Sequence, residues 1–257
     1  MTSQGGVLMN RNCYFLIPAA GSGTRMGAGQ PKLMRNVEGS PVILRTLGAV
    51  AEICRSRYGN FEYMIILVTT PDLMGTLKAM CKEYFPDIDI VYTLGGNTRT
   101  ESVSLGLNMI TDAMPDDIVL VHDGARCLVT SEEIKACIDG LKEHDVCASA
   151  VPVKNTLKEV EIDKDGGVKV TGTPDRSRFY EILTPQGFKY KDIKACYAKA
   201  IEEEITATDD TALAELLNLD VYLTKGLYSN LKITTPEDIA IASEIVRSRG
   251  ESEPFRD

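Results

Sequence analysis

The stretch Cys13-Tyr14-Phe15-Leu16-Ile17-Pro18-Ala19-Ala20-Gly21-Ser22-Gly23-Thr24-Arg25-Met26-Gly27, with Pro31-Lys32 just beyond it, decides the fold. Its first half is apolar at nearly every position and short, the pattern of a strand buried on both faces. Its second half is made of small residues, which let backbone N–H groups approach phosphate oxygens while Arg25 and Lys32 supply positive charge. The whole reads as a strand running into a phosphate cradle. Two better-known glycine loops do not fit. A dinucleotide fingerprint needs its third glycine one residue earlier and an acid at the end of the second strand, where Val68-Thr69-Thr70-Pro71 stands. A P-loop needs Gly-Lys-Ser/Thr, and no such triplet occurs in the chain.

Outward from that loop, apolar runs at Tyr63 to Thr69, Ile88 to Tyr92, Ile118 to His122 and Val146 to Val153 read as further buried strands. Helical spacing fills the intervals near Pro41 to Arg57, Pro71 to Tyr84, Arg99 to Ile110 and Ser131 to Glu143. This alternation predicts a Rossmann-like α/β fold, a mostly parallel sheet flanked by helices. The rhythm breaks at residues 154–173, where Asp165-Gly166-Gly167 supplies the turn of a hairpin between Leu157 to Ile162 and Val168 to Thr171. That segment reads as a protruding β-arm within one domain spanning residues 1–257. Beyond it come a strand at Thr184 to Phe188, helices near Lys191 to Glu204 and Asp210 to Leu217, a strand at Val221 to Thr224, and a helix opened by Thr235-Pro236-Glu237-Asp238.

Composition limits the partners. Lys and Arg number 28 against 37 Asp and Glu, a formal charge of −9, which argues against broad affinity for nucleic acid or an anionic membrane. An anionic ligand must therefore be held by a few focused cations. The seven cysteines form no Cys-x-x-Cys pair and are odd in number, so neither a zinc site nor a disulfide framework is expected. No apolar run is long enough to span a bilayer, and the expected location is cytoplasmic.

Five segments in order, the glycine-rich opening together with Gly95-Gly96-Asn97-Thr98-Arg99-Thr100-Glu101-Ser102-Val103, Val121-His122-Asp123-Gly124-Ala125-Arg126, Leu183-Thr184-Pro185-Gln186-Gly187-Phe188 and Asn230-Leu231-Lys232-Ile233-Thr234-Thr235-Pro236-Glu237-Asp238, resemble the 2-C-methyl-D-erythritol 4-phosphate cytidylyltransferase family of the sugar-nucleotide pyrophosphorylase superfamily. The resemblance runs from about residue 13 to 247. It implies transfer of CMP from CTP to the phosphate of a small sugar-alcohol phosphate, with release of pyrophosphate, in the non-mevalonate route to isoprenoid precursors. Arg25, Lys32 and Lys232 then carry the catalysis. Ala19, Ala20, Gly21, Gly23, Gly96, Arg99, Ser102 and Asp123 bind the nucleotide, and Arg126, Thr156, Arg176, Thr184 and Lys232 bind the acceptor. Mg²⁺ or another divalent cation is the implied cofactor, with Asp123 its candidate ligand. The family's arm places a Thr and an Arg, here Thr156 and Arg176, against the partner subunit's pocket, which implies a homodimer with shared sites.

Read from the residues alone, Asp123 and Arg126 follow an apolar strand, where ligands of open α/β sheets gather, although a salt-bridged pair capping the next helix has the same appearance. Ser102 equally suits a helix cap. His122 reads as structural, because an ionised phosphate nucleophile needs no general base. The chain departs from the family pattern at Asn97, Gly124, Cys127 and Asn155, and Asn155 replaces a carboxylate near the acceptor. A related family transfers CMP to D-ribitol 5-phosphate, but Ala125 and Lys158 favour methylerythritol phosphate. A non-catalytic nucleotide-binding protein is disfavoured because such a pocket has no use for the charges of Arg25, Lys32, Asp123, Arg126 and Lys232.

Overall fold

The computed structural model describes residues 11–21 and 30–251 of the chain. Gly23 and Arg25, both expected in the phosphate cradle, lie outside the described residues. A seven-stranded sheet organises the rest, in the order β11-β7-β10-β6-β1-β4-β5. Its strands are β1 (Asn12–Pro18), β4 (Glu62–Thr69), β5 (Ile90–Leu94), β6 (Ile118–Val121), β7 (Val146–Pro152), β10 (Tyr180–Lys189) and β11 (Val221–Lys225). All neighbours pair in parallel except β10, which runs antiparallel to both β6 and β7.

The apolar runs are continuous because successive side chains enter two different cores. Cys13, Phe15 and Ile17 of β1, Ile65 and Leu67 of β4, and Ile118 and Leu120 of β6 face one core. It is covered by α1 (Val42–Ser56), α2 (Pro71–Tyr84), α4 (Ser131–Gly140) and α7 (Pro236–Ser248). Tyr14, Leu16, Ile66, Val68, Val119 and Val121 face the other, under α3 (Arg99–Leu107), α5 (Tyr190–Glu202) and α6 (Thr211–Leu216). A strand with period-two side chains between two helical layers needs an apolar residue at every position.

From β1 the chain winds outward through α1, β4, α2 and β5, then returns through α3 on the opposite face to β6, on the other side of β1. Reversing direction and changing face together keep both crossovers right-handed. The reversal leaves a crevice at the carboxyl ends of β1 and β6, the switch point where open α/β sheets take ligands. Backbone pairing continues into the loops there: His122 N–H donates to the Leu16 carbonyl at 2.9 Å, Gly124 to Pro18 at 3.2 Å and Ala19 to Val68 at 2.7 Å. The crevice therefore has a rigid floor.

Two features depart from the expectation. A small ribbon of β2 (Asn36–Val37) and β3 (Ser40–Pro41) turns through Glu38 and Gly39, both at positive φ, as a two-residue hairpin requires. The strand expected at Thr184 to Phe188 is the ten-residue β10, with a register shift against β7 between Ile182 and Gln186, across the cis Thr184-Pro185 bond. Proline lacks the N–H a ladder needs and so sits where the pairing is interrupted. The hairpin is β8 (Glu159–Ile162) and β9 (Val168–Gly172), a separate two-stranded sheet. No helix among the described residues is long and apolar enough to cross a membrane.

Phe15 is fully buried on β1 and stacks on Tyr63, with ring centroids 5.9 Å apart. Phe15→Ala is expected to cost about 3–5 kcal/mol of unfolding free energy, read as a lowered urea midpoint with an unchanged slope.

Candidate active site

A cleft of about 380 Å³ occupies the switch point. Pro18 to Gly21 from the end of β1, Lys32 and Leu33, the Gly96 to Arg99 turn with Ser102, Asp123 to Ala125 after β6, and Lys232 form its walls. Among the described residues its charged lining is Lys32, Arg99 and Lys232 against the single carboxylate of Asp123. The cleft is thus cationic inside a chain of net charge −9, the focusing that an anionic ligand requires.

Asp123 is 8% exposed and sits among cations from different parts of the chain. Lys232 Nζ lies 2.8 Å from its Oδ2, Arg126 Nε 3.6 Å from Oδ2, and Arg99 Nη2 3.6 Å from Oδ1. Burial alone pushes the Asp123 carboxyl up, but the charges of Lys232, Arg99 and Arg126, with the Lys232 hydrogen bond, outweigh it and hold the group well below the usual carboxylate range. Asp123 is therefore a permanent anion at neutral pH. Lys232 is carried into place by the buried residues beside it: Ile233 N–H donates to the Ala125 carbonyl at 2.9 Å, and Asn230 Nδ2 donates to Glu133 Oε1 at 3.0 Å and to the Thr184 carbonyl at 2.9 Å.

His122, Thr184 and Arg126 form the frame behind that carboxylate. Asp123 N–H donates to Thr184 Oγ1 at 3.2 Å, and Thr184 Oγ1 lies 2.9 Å from His122 Nδ1. His122 Nε2 lies 3.2 Å from the Arg126 carbonyl, which can only accept. The proton of a neutral imidazole is thereby placed on Nε2, leaving Nδ1 to accept from the Thr184 hydroxyl. Burial pushes the pKa of His122 down to about 4, in keeping with that neutral form. Arg126 Nη1 donates to the Asn230 carbonyl at 2.7 Å. Arg126 and Thr184 thus brace the Asp123 loop and the Asn230 segment, and neither lines the cleft.

At the other end of the cleft the chain turns tightly before α3. A Cβ built on Gly95 would stand 2.4 Å from the Ala20 Cβ and 2.9 Å from Ser102 Oγ, so this approach requires glycine. Thr98 caps α3 by accepting from Glu101 N–H at 3.0 Å. Ser102 Oγ accepts from Gly96 N–H at 3.1 Å and donates to the Thr98 carbonyl at 2.9 Å, and Glu101 accepts from Asn97 N–H at 2.6 Å. Ser102 therefore shapes the turn and lines the cleft at once.

Of the residues singled out by sequence, Ala19, Ala20, Gly21, Lys32, Gly96, Arg99, Ser102, Asp123 and Lys232 come together in this cleft. Thr156 and Arg176 do not; Thr156 is exposed in the arm and Arg176 is exposed just past its end, where Arg176 Nη1 donates to the Lys154 carbonyl at 2.6 Å. Sequence reasoning gave no role to Asp210, Gln186, Glu133 or Asn230, all buried. Asp209-Asp210 before a helical run signals only a helix start, Glu133 follows Thr130 at the spacing of a helix capping box, and Gln186 and Asn230 stand inside quoted segments whose roles were placed on their neighbours.

The fold and cleft together are those of a nucleotidyltransferase. A family model described as IspD: 2-C-methyl-D-erythritol 4-phosphate cytidylyltransferase matches residues 13–248. The protein of that name from Nostoc sp. (strain PCC 7120) is 37% identical over 239 residues, covering 93% of this chain and all of its own. That from Acaryochloris marina is 38% identical over 239 residues, covering 92% of this chain and 94% of its own. Among solved structures, the 4-diphosphocytidyl-2C-methyl-D-erythritol synthase of Anaerococcus prevotii superposes with a TM-score of 0.76 at 34% identity, covering 92% and 99% of the two chains. The Thermus thermophilus 2-C-methyl-D-erythritol 4-phosphate cytidylyltransferase gives 0.69 at 26% identity, covering 91% and 98%. The chain belongs to the 2-C-methyl-D-erythritol 4-phosphate cytidylyltransferase family.

His122 sets a pH dependence. Its folded pKa of about 4 lies below the unfolded value, so the unfolded chain binds the proton first. Its contribution is complete above about pH 6.5 and is lost as the pH falls towards 4, by ~3 kcal/mol. Asp123 titrates below that window. Urea unfolding across pH 4–7 is expected to show this slope in the wild type and a flatter one in His122→Gln.

Proposed function

We propose that the switch-point cleft binds CTP and transfers its CMP unit to 2-C-methyl-D-erythritol 4-phosphate, the step of the non-mevalonate isoprenoid route for which the family is named. The observation that carries this reading is a single cleft at the carboxyl ends of β1 and β6 lined by Lys32, Arg99 and Lys232, with Arg99 and Lys232 beside the Asp123 carboxylate. The acceptor's phosphate oxygen attacks the α-phosphorus of CTP; a new P–O bond forms, the bond to the β-phosphate breaks, and pyrophosphate leaves with the electron pair. Charge accumulates on the equatorial oxygens and on the leaving group, so catalysis is a matter of fixed positive charge and alignment.

Lys32 is set at the cleft wall by a short 3₁₀ turn, Lys32–Met34, anchored by buried Leu33, and is assigned to the triphosphate. Arg25, which lies outside the described residues, is assigned to the triphosphate from the family resemblance of the sequence around it. Lys232 is assigned to the acceptor phosphate, where an ammonium acts as a compact point charge. Gly21 and the backbone at Ala19, Ala20 and Gly96, with Ser102, are assigned to the nucleotide, and no general base is required because the nucleophile is already ionised.

Among the described residues no three His, Cys, Asp or Glu side chains converge to hold a metal by themselves. One carboxylate, Asp123, fits a Mg²⁺ whose remaining ligands are phosphate oxygens and water. Bound there, the ion would neutralise phosphate charge.

We assign the arm to a homodimer, in a protein read as cytoplasmic. Ile162 pairs with Val168 and Val160 with Val170 across the hairpin, and these four side chains are 73, 65, 46 and 54% exposed in the single chain. A two-stranded ribbon with one bare apolar face is marginal in water until something packs on it. A second copy would cover it and bring Thr156 and Arg176 to the partner's acceptor.

The first assay is pyrophosphate release with CTP and Mg²⁺, comparing 2-C-methyl-D-erythritol 4-phosphate with D-ribitol 5-phosphate and using ATP, GTP and UTP as donor controls. Preference for CTP and methylerythritol phosphate is expected; preference for ribitol phosphate would transfer the chain's activity to the sister reaction. Lys32→Ala is expected to lower kcat by about a hundredfold or more with the fold intact. Val168→Lys is expected to shift sedimentation to monomer and depress kcat/KM for the acceptor, while CTP binding persists.

A further inference from the structure

We infer that Asp210 is a positioning residue for the donor nucleotide, holding the Arg99 guanidinium in the cleft and away from Asp123. This rests on the reading of the cleft as a CTP site. Asp210 has no exposed surface, and its two oxygens accept from Arg99 Nη1 at 2.6 Å and Nη2 at 2.7 Å. Such a two-point pair fixes the plane of the guanidinium as well as its place. The carboxylate cannot turn, because its surroundings are fixed too. The Tyr197 hydroxyl donates to Oδ1, and the N–H groups of Asp210 and Thr211 donate to Gln186 Oε1 at 2.8 and 3.0 Å. Gln186 Nε2 donates in turn to the Leu183 carbonyl at 3.1 Å. The position of Arg99, on the first residue of α3, is therefore set from β10.

Two carboxylates compete for this guanidinium. Arg99 Nη2 lies 2.7 Å from Asp210 and 3.6 Å from Asp123, whose nearest cation is Lys232 at 2.8 Å. Asp210 divides the charge of the cleft, giving Arg99 to the nucleotide wall and leaving Asp123 with Lys232 at the reacting end. Without the Asp210 charge, the strongest remaining attraction on Arg99 is the buried Asp123 anion. The guanidinium then closes onto it and leaves the nucleotide wall.

The test is calorimetric CTP binding to the full-length protein without acceptor, alongside steady-state kinetics. Asp210→Asn is expected to weaken CTP binding by about tenfold or more and to raise the KM for CTP, with the acceptor KM little changed. Asp210→Glu, which keeps the charge, recovers much of the affinity. In an Arg99→Met background, Asp210→Asn adds no further loss, because Asp210 acts through Arg99. Equal losses in both backgrounds, or an unchanged CTP affinity in Asp210→Asn, would overturn the inference. If Asp210→Asn does not fold, Tyr197→Phe is read in the same way: it removes one donor from the carboxylate and is expected to weaken CTP binding about twofold to threefold, and an unchanged affinity counts against the proposal. Wild-type turnover of CTP with methylerythritol phosphate separates the two claims, since its absence defeats the CTP reading while its presence with unaltered variants defeats only the role of Asp210.

Discussion

The Asp123 carboxylate, almost without exposed surface, is the constraint on which the site depends. A buried anion is tolerated only when neighbouring charges and hydrogen bonds replace its water. Here Arg99 comes from the start of α3, Arg126 from the loop after β6 and Lys232 from the segment between β11 and α7. Keeping Asp123 ionised therefore requires distant parts of the chain to converge on the carboxyl end of β6. The convergence that satisfies this anion also builds a cationic cleft.

The converging segments are held by buried polar contacts. Thr184 supports Asp123 through its hydroxyl and Asn230 through its carbonyl, so β10 braces both the loop after β6 and the segment bearing Lys232. Glu133, at the start of α4, accepts from Leu227 and Asn230 with one oxygen while its other oxygen accepts from Thr130 N–H. Neutral His122 closes the frame. Each of these groups would be costly to bury unpaired, and together they allow few alternative arrangements. Gly124 fits the same frame, since a Cβ there would come 3.1 Å from Ile43 and 3.2 Å from the Pro18 carbonyl.

Much of this was legible in the sequence because its causes are local. β1, β4 and β6 declare themselves by unbroken apolar runs, the hairpin by Asp165-Gly166-Gly167, and α7 by a Thr-Pro-Glu-Asp start whose capping box the structure contains. Gly95 and Gly96 mark a turn, and Lys32, Asp123 and Lys232 stand beside recognisable boundaries. The direction and length of β10 were not legible. Its pattern of apolar and polar residues carries no sign of direction, and only pairing with both β6 and β7 fixes the antiparallel sense. Asp210 was hidden for a similar reason: its partner Arg99 lies 111 residues away.

The sequence by itself determined the layered α/β class, the place of the loops at strand ends, and the supply of a few cations in an acidic chain, because periodicity, turn chemistry and composition act over short stretches. Only the tertiary structure decided which face each helix covers, that Arg126 and Thr184 brace the cleft while Lys32 and Lys232 line it, and that Arg99 answers to Asp210 before Asp123. Those choices depend on distances between groups far apart in the chain. They are set when burial forces each polar group to find its partner.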